Sequence, residues 1–177
     1  VTAVPTTLTA VAGAVLTASE WNTNNRDVEN WLLAPAICQV RQTSAQSLSN
    51  NTNTALLFDT EDVDSTGMHS TSSNTSRLTA VYPGWYQFSG GYSAASNATG
   101  VRVTSFQVNS TVVNGSGSDQ TSVAAGTTVR MPTRTILVFL NVGDFCELAA
   151  LQTSGGALNT AVTTSEQPHC TAIWTSN

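Results

Sequence analysis

The period of hydrophobic and polar positions changes once along the chain, near Ala36. Ahead of that point, Thr17 and Glu20 have the spacing of a capping box. In such a box the Thr17 hydroxyl takes the Glu20 backbone N–H and the Glu20 carboxylate reaches back. Leu16 and Trp21 stand at the N′ and N4 positions of a hydrophobic staple. The pattern predicts a helix from Ala18 to about Leu33, ended by Pro35, which pushes its predecessor out of the α region. Trp21, Val28, Trp31 and Leu32 gather on one side of that helix, and Asn22, Asn25, Arg26 and Glu29 fall mostly elsewhere. A helix of about 16 residues is marginal alone in water, so the two tryptophans need a surface to pack on. Two readings stand: they cover this chain's own core, or they dock on another protein or a sister subunit. Val1 to Leu16 reads as an extended, Thr-rich arm.

From Ala36 onward the period is that of strands separated by polar loops. Strands are predicted at Ile37–Gln42, Thr54–Phe58, Arg77–Val81, Trp85–Tyr92, Val101–Val113, Thr135–Leu140, Phe145–Leu151 and Cys170–Trp174. Tyr86, Phe88 and Tyr92 share one face of the fourth. Val101 and Val103 are out of phase with Phe106 and Val108, which predicts a bulge between them. Thr135–Leu140 is an unbroken apolar run of buried-strand type. Tyr82-Pro83-Gly84 places Pro and Gly where a turn wants them, and Asn141 to Asp144 makes a tight connection. Asn114 to Ser118 and Thr153 to Glu166 read as polar loops. Strands at this spacing without helical pattern between them predict an all-β sandwich or barrel over 36–177, preceded by an arm and helix over 1–35.

Composition narrows the function. Only 10% of residues are charged, and Thr, Ser and Asn fill more than a third of the chain. Many β-branched and aromatic residues argue against disorder. All 6 basic residues are arginines, set against 11 carboxylates for a net charge of −5. That balance argues against a nucleic-acid binder, which needs a basic face against phosphates. No stretch reaches the ~18 uncharged apolar residues of a membrane span, and the leading segment lacks the positive start of a secretory signal. The 3 cysteines, Cys38, Cys146 and Cys170, lack metal-type spacing and read as small buried hydrophobes. A Cys38–Cys170 bridge stays open if the first and last strands are neighbours.

Candidate chemistry is sparse. Asp59, Glu61, Asp62 and Asp64 form an acidic loop and are weak calcium candidates. The loop lacks the glycine and closing glutamate of an EF-hand, so a solvated loop is the plainer reading. His69 and His169 have no partner at ligand spacing. Asp144 and Glu147 are the nearest approach to a glycosidase pair, yet Gly143-Asp144 is more simply a turn. There is no Gly-x-Ser-x-Gly elbow and no phosphate loop. The chain reads as a non-enzyme without cofactor or metal.

The stretch Arg77-Leu-Thr-Ala-Val-Tyr-Pro-Gly-Trp-Tyr-Gln-Phe88 resembles the central motif of the complement component 1q and tumour necrosis factor superfamily. Other matches keep its order: Phe58 before the acidic loop that ends in Gly67-Met68-His69, the pair Val108-Asn109, and Gly143-Asp144 ahead of Phe145-Cys146-Glu147-Leu148. The resemblance implies a ten-stranded jelly-roll sandwich over roughly Ala36 to Asn177 and a homotrimer. Tyr86, Phe88, Ile136, Val138, Leu140 and Trp174 are the expected core and trimer residues. In place of a collagen repeat, the segment Leu16 to Leu33 resembles the N-terminal region of small virion proteins of tailed bacteriophages. That likeness implies a capsid decoration or head-spike protein. Its arm would dock on the major capsid protein or a tail protein through Leu16, Trp21, Val28, Trp31 and Leu32. The alternative is a tail-fibre or tail-tip head whose Ser/Thr/Asn loops bind a host surface glycan or protein, with Trp85 and Tyr92 as sugar platforms.

Overall fold

A computed structural model of the chain describes residues 13, 15, 17–26, 29, 34–121 and 127–176. The capping box is in place: Glu20 N–H donates to Thr17 Oγ1 at 3.2 Å, and Thr17 N–H donates to Glu20 Oε2 at 2.8 Å. It opens helix α1 (Ala18–Trp21), which widens into a π-helical turn over Asn22–Arg26. The remainder of the predicted helix is outside the described residues apart from Glu29, and so are Leu16, Val28, Trp31 and Leu32.

Two six-stranded antiparallel sheets face each other. Strands are numbered in chain order. The first sheet holds β1 (Ile37–Arg41), β4 (Thr60–Asp64), β6 (Gly84–Ala94), β10 (Val129–Pro132), β11 (Ile136–Leu140) and β14 (His169–Ser176). In it β10 and β11 both pair with β6, followed by β14, β1 and β4. The second sheet holds β3 (Thr54–Ala55), β5 (Arg77–Thr79), β7 (Val101–Val108), β8 (Thr111–Val112), β9 (Ser118–Thr121) and β12 (Phe145–Gln152). Here β3 and β5 pair with β12, β12 with β7, and β7 with both β8 and β9. A small ladder joins β2 (Ser47–Leu48) to β13 (Leu158–Asn159).

Alternation along β6 and β14 builds the core between the sheets. Tyr86, Phe88, Tyr92, Leu140 and Trp174 turn inward onto Phe58, Phe106 and Leu148, and Ile136 and Val138 pack against them half-buried. The rings of Phe88 and Phe106 meet across the two layers at 6.0 Å. The Tyr82-Pro83-Gly84 turn is tied from inside. Tyr86 O–H donates to the Tyr82 carbonyl at 2.9 Å, and Trp174 Nε1–H donates to that of Pro83 at 3.1 Å.

Several expectations are corrected. Val101–Val113 is not one bulged strand: β7 keeps an unbroken register on β12 from Val108 opposite Cys146 to Arg102 opposite Gln152. The chain then reverses at Asn109 and Ser110, whose φ values of 48° and 65° are those of a tight hairpin turn, and β8 pairs back. The inward phase of β7 is Arg102, Thr104, Phe106 and Val108, so Val101 and Val103 face out. The acidic loop is largely a strand, β4, on the sheet edge. Only Thr54–Ala55 of the run Thr54–Phe58 is paired as a strand, although Leu56 and Phe58 are buried. The strand β9 begins at Ser118, the last residue of the first polar loop, and the second loop contains β13. The strand β11 is not buried on both faces, since Leu137 and Phe139 are exposed. The first and last strands are neighbours, yet β1 and β14 place Val40 opposite Cys170 and Cys38 opposite Ala172. All three cysteines are free and buried.

Candidate functional site

Residues opposite one another in antiparallel strands share a face, so the register of the first sheet maps its outer surface. Trp85 on β6 lies opposite Phe139 on β11. One row further along, Gln87 lies between Leu137 on β11 and Ile173 on β14, and Ile173 lies opposite Ile37 on β1. Next to these, Gln39 lies opposite Val63 on β4. Trp85, Leu137 and Phe139 are 41%, 56% and 48% exposed. The Trp85 and Phe139 rings meet edge to face, with centroids 5.8 Å apart. Isolated apolar side chains on a surface are ordinary, whereas neighbouring exposed ones such as Trp85, Leu137 and Phe139 make this end of the face a candidate interaction site.

The two ends of this face differ. At one end β1 begins, β14 and β11 finish and β6 starts, and here the apolar residues cluster. At the other, Arg41 pairs with Asp62 at 2.7 Å and Arg130 with Glu166 at 2.9 Å. Hydrogen bonds from Thr128 and then Arg130 hold the Glu166 carboxyl below its usual range. A cleft of about 280 Å³ lies there, with Arg130, Pro132, Glu166, Gln167 and His169 in its wall. The segment leading from the helix enters at the apolar end, where the Ala36 carbonyl accepts from Trp174 N–H at 2.9 Å. Trp21, on the exposed helical turn, is 58% exposed.

The structure sorts the residues singled out in sequence. Tyr86, Phe88 and Leu140 are enclosed by their own chain, and Trp174 nearly so. The face that could meet a neighbouring copy is carried by Trp85, Leu137 and Phe139. Leu137 and Phe139 were missed because every residue of their run is apolar. Tyr92 is buried and is no sugar platform, whereas Trp85 is exposed.

The four acidic candidates are engaged separately. Asp59 accepts from the backbone N–H of Thr43 at 2.7 Å and of Ser44 at 2.8 Å. Burial pushes its carboxyl up, but these bonds outweigh burial and lower it. Glu61 meets His69 Nδ1 at 2.9 Å, and Asp62 meets Arg41. Asp64 accepts from the backbone N–H groups of Thr66, Gly67, Met68 and His69 at 2.8–3.2 Å, which folds the following turn. Among the described residues no three His, Cys, Asp or Glu side chains are grouped to hold a metal ion. Asp144 is bound by Asn109 and Asn141, and Glu147 by Ser76 and Arg77, so each carboxylate has its own partners. No helix among the described residues is long and apolar enough to cross a membrane.

This geometry has counterparts among solved structures. The globular domain of zebrafish complement 1qA superposes with a TM-score of 0.56 at 12% identity, covering 80% of this chain and 99% of that one. Murine APRIL at pH 5.0 gives 0.58 at 8% identity, covering 80% and 99%. The Eiger TNF of S. frugiperda gives 0.56 at 10% identity, covering 81% and 94%. The fold is the C1q/TNF jelly roll. At these identities the likeness extends to the fold alone. No protein-family model matches the chain, and no curated protein matches it. The Pro83-Gly84-x-Tyr86-x-Phe88 stretch takes up the start of β6 in this C1q/TNF fold, where it forms the turn and the first inward pair.

Proposed function

We propose that this chain is a non-enzymatic structural protein of a tailed-bacteriophage virion, a homotrimeric head anchored to the shell by residues 1–35. The observation that carries the reading is the apolar end of the first sheet's outer face, with Trp85, Leu137 and Phe139 uncovered. Three copies meeting there bury those side chains, and the segment entering at Ala36 leaves each copy at the same end. Three arms then project together, each bearing Trp21, toward the major capsid protein. A linked trimer multiplies a weak docking contact through effective concentration, and binding across subunits stabilises the assembled shell by mass action. The acidic, lysine-free surface fits a partner that is neither nucleic acid nor membrane.

Light scattering tests the assembly: the expected mass is three times 18.5 kDa, and a mass of one chain overturns it. Quantitative mass spectrometry of purified particles tests the location. Hundreds of copies support decoration of the head, whereas a few support the second reading, a tail-fibre or tail-tip head binding the host surface. That second reading is favoured by the exposed polar loop at Thr71–Asn74.

A further inference from the structure

Asn114-Gly115 is the sequence's single Asn-Gly pair, and it forms the centre of the turn that follows β8. Ser116 N–H donates to the Val113 carbonyl at 3.2 Å. Gly115 has a φ of 77°, while Asn114 keeps a negative φ. Those are the signs of a type II turn with glycine at its third position. Both central residues are exposed. The Gly115 N–H lies outside the turn's own bond and has no acceptor among the described residues. The Asn114 carboxamide has no hydrogen-bond partner there either. Nothing lies within 4 Å of the place a Gly115 Cβ would take.

Other asparagines lack this freedom. Asn109 is held at both ends of its amide, donating to Asp144 at 2.9 Å and accepting from Phe145 N–H at 3.1 Å. Asn50 accepts from Gly155 N–H and Asn97 from Thr99 N–H, each at 2.8 Å. Asn51, Asn53 and Asn74 are each followed by a threonine, whose branched Cβ crowds the backbone nitrogen.

An unshielded backbone nitrogen beside a free carboxamide is set for ring closure, because glycine has no Cβ in the way. The Gly115 nitrogen gives its proton to solvent and attacks Asn114 Cγ. A C–N bond forms, the bond to the side-chain nitrogen breaks, and that nitrogen takes up a proton and leaves as ammonia. Water then opens the succinimide at one of its two carbonyls. Opening at Cγ regenerates an ordinary main chain with aspartate. Opening at the backbone carbonyl leaves isoaspartate, whose main chain runs through Cβ and Cγ. No redox change occurs, and water is the one reagent consumed.

Isoaspartate lengthens the backbone between Val113 and Ser116 by one atom, and Ser116 is fully buried. The Ser116 Oγ accepts from Phe106 N–H at 3.0 Å and donates to the Val113 carbonyl at 2.7 Å, which pins the turn against β7. We propose that Asn114 is a site of spontaneous modification in the folded chain, converting with age to isoaspartate and aspartate, and that the isoaspartate form withdraws Ser116 from β7 and loosens the β8–β9 edge. The change belongs to the second sheet and leaves Trp85, Leu137 and Phe139 on the first as they are.

The test incubates the full chain at pH 8 and about 37 °C for several weeks, then cleaves at arginine to release residues 103–130. That peptide is expected to gain about 1 Da at Asn114 and nothing at Asn109, with isoaspartate identified by electron-transfer fragmentation. Hydrogen exchange at Phe106 N–H is expected to be faster in aged than in fresh protein, and unchanged at Phe88. Asn114→Asp adds the charge without the extra backbone atom, so its Phe106 exchange is expected to match the fresh chain. Asn114→Gln is expected to gain no mass in this peptide. An unmodified Asn114, or one that changes no faster than Asn109, overturns the site. Equal Phe106 exchange in aged and fresh protein, or fast exchange in Asn114→Asp, overturns the loosening.

Discussion

Trp85 and Phe139 meet edge to face on the outside of the first sheet, while the residues that follow them, Tyr86 and Leu140, are both enclosed in the core. One backbone alternation therefore makes two surfaces: the even-numbered partners hold the chain together, and the odd-numbered ones stay exposed on the outer face. An aromatic pair of this geometry contributes about 0.5–1.5 kcal/mol beyond its area, and covering it adds the burial of both rings.

Placing a charge in that face separates folding from assembly. Phe139→Asp leaves the inward residues of β11 untouched, so the circular dichroism of the sandwich is expected to persist. The mass by light scattering is expected to drop to one chain, because an unpaired carboxylate at the centre of an apolar contact is strongly disfavoured. A variant that keeps the trimeric mass would show that the copies join elsewhere.

The turn into β6 is a separate point of sensitivity. Gly84 has φ of 140°, and a Cβ there would collide with the Ser176 carbonyl and come within 2.6 Å of Trp174 Nε1. Gly84→Ala is expected to cost about 3 kcal/mol, read as a shifted urea midpoint. Gly143→Ala is the control: its φ of 90° is strained too, but nothing lies within 4 Å of the added carbon. Its expected cost is about 1 kcal/mol.

Acid should loosen the fold through two identified carboxylates. Asp144 is held below the usual range by the Asn109 side chain and then the Asn141 backbone N–H. Asp59 is lowered because its bonds from Thr43 and Ser44 outweigh its burial. A folded-state value below the unfolded one adds stability above the unfolded value of about 4, and that stability is lost as pH falls through the folded value. The urea midpoint is expected to fall between pH 5 and pH 2. The double variant Asp59→Asn, Asp144→Asn should be less stable than wild type at pH 7 and close to it at pH 2. An equal gap at both values would remove these residues from the acid response.

The cysteines offer a readout of how tightly the layers close. Burial is the first cause that raises all three thiols, Cys170 to about 12 and Cys38 and Cys146 well above the ordinary value. Thiolate is the reactive form, so iodoacetamide at pH 8 is expected to add nothing to the folded chain within an hour and three groups in urea. A single rapid adduct in the folded protein would reveal local opening at that strand.

How far the sequence could be read depended on what each residue's neighbours disclosed. In β6 the alternation of Tyr86 and Phe88 with Gln87 and Ser89, after Pro83-Gly84, marks both strand and inward face. In β11 the run Ile136 to Leu140 is apolar at every position, so period 2 leaves no trace and the exposed pair Leu137 and Phe139 stays hidden. Val101 and Val103 mislead in the opposite way: they are apolar at outward positions, with Arg102 inward between them, so the phase against Phe106 and Val108 looks broken where the ladder is continuous. The acidic segment read as a loop because edge strands carry charge, and only the register with β1 shows it to be β4. The core was legible where polar residues separated the apolar ones. The outer face was not, because the run that carries it is apolar at every position.

The place of β14 has a bearing on how the protein is made. It lies between β6 and β1, so β1 and β4 reach the rest of their sheet only through it. On the ribosome it is the latest of these strands to appear, and until His169–Ser176 emerges, Cys38 and Val40 have only the β4 ladder on one side. The sandwich therefore shuts no earlier than the synthesis of that segment. Every nascent copy passes through a stage with an open edge, in need of protection from pairing with its neighbours.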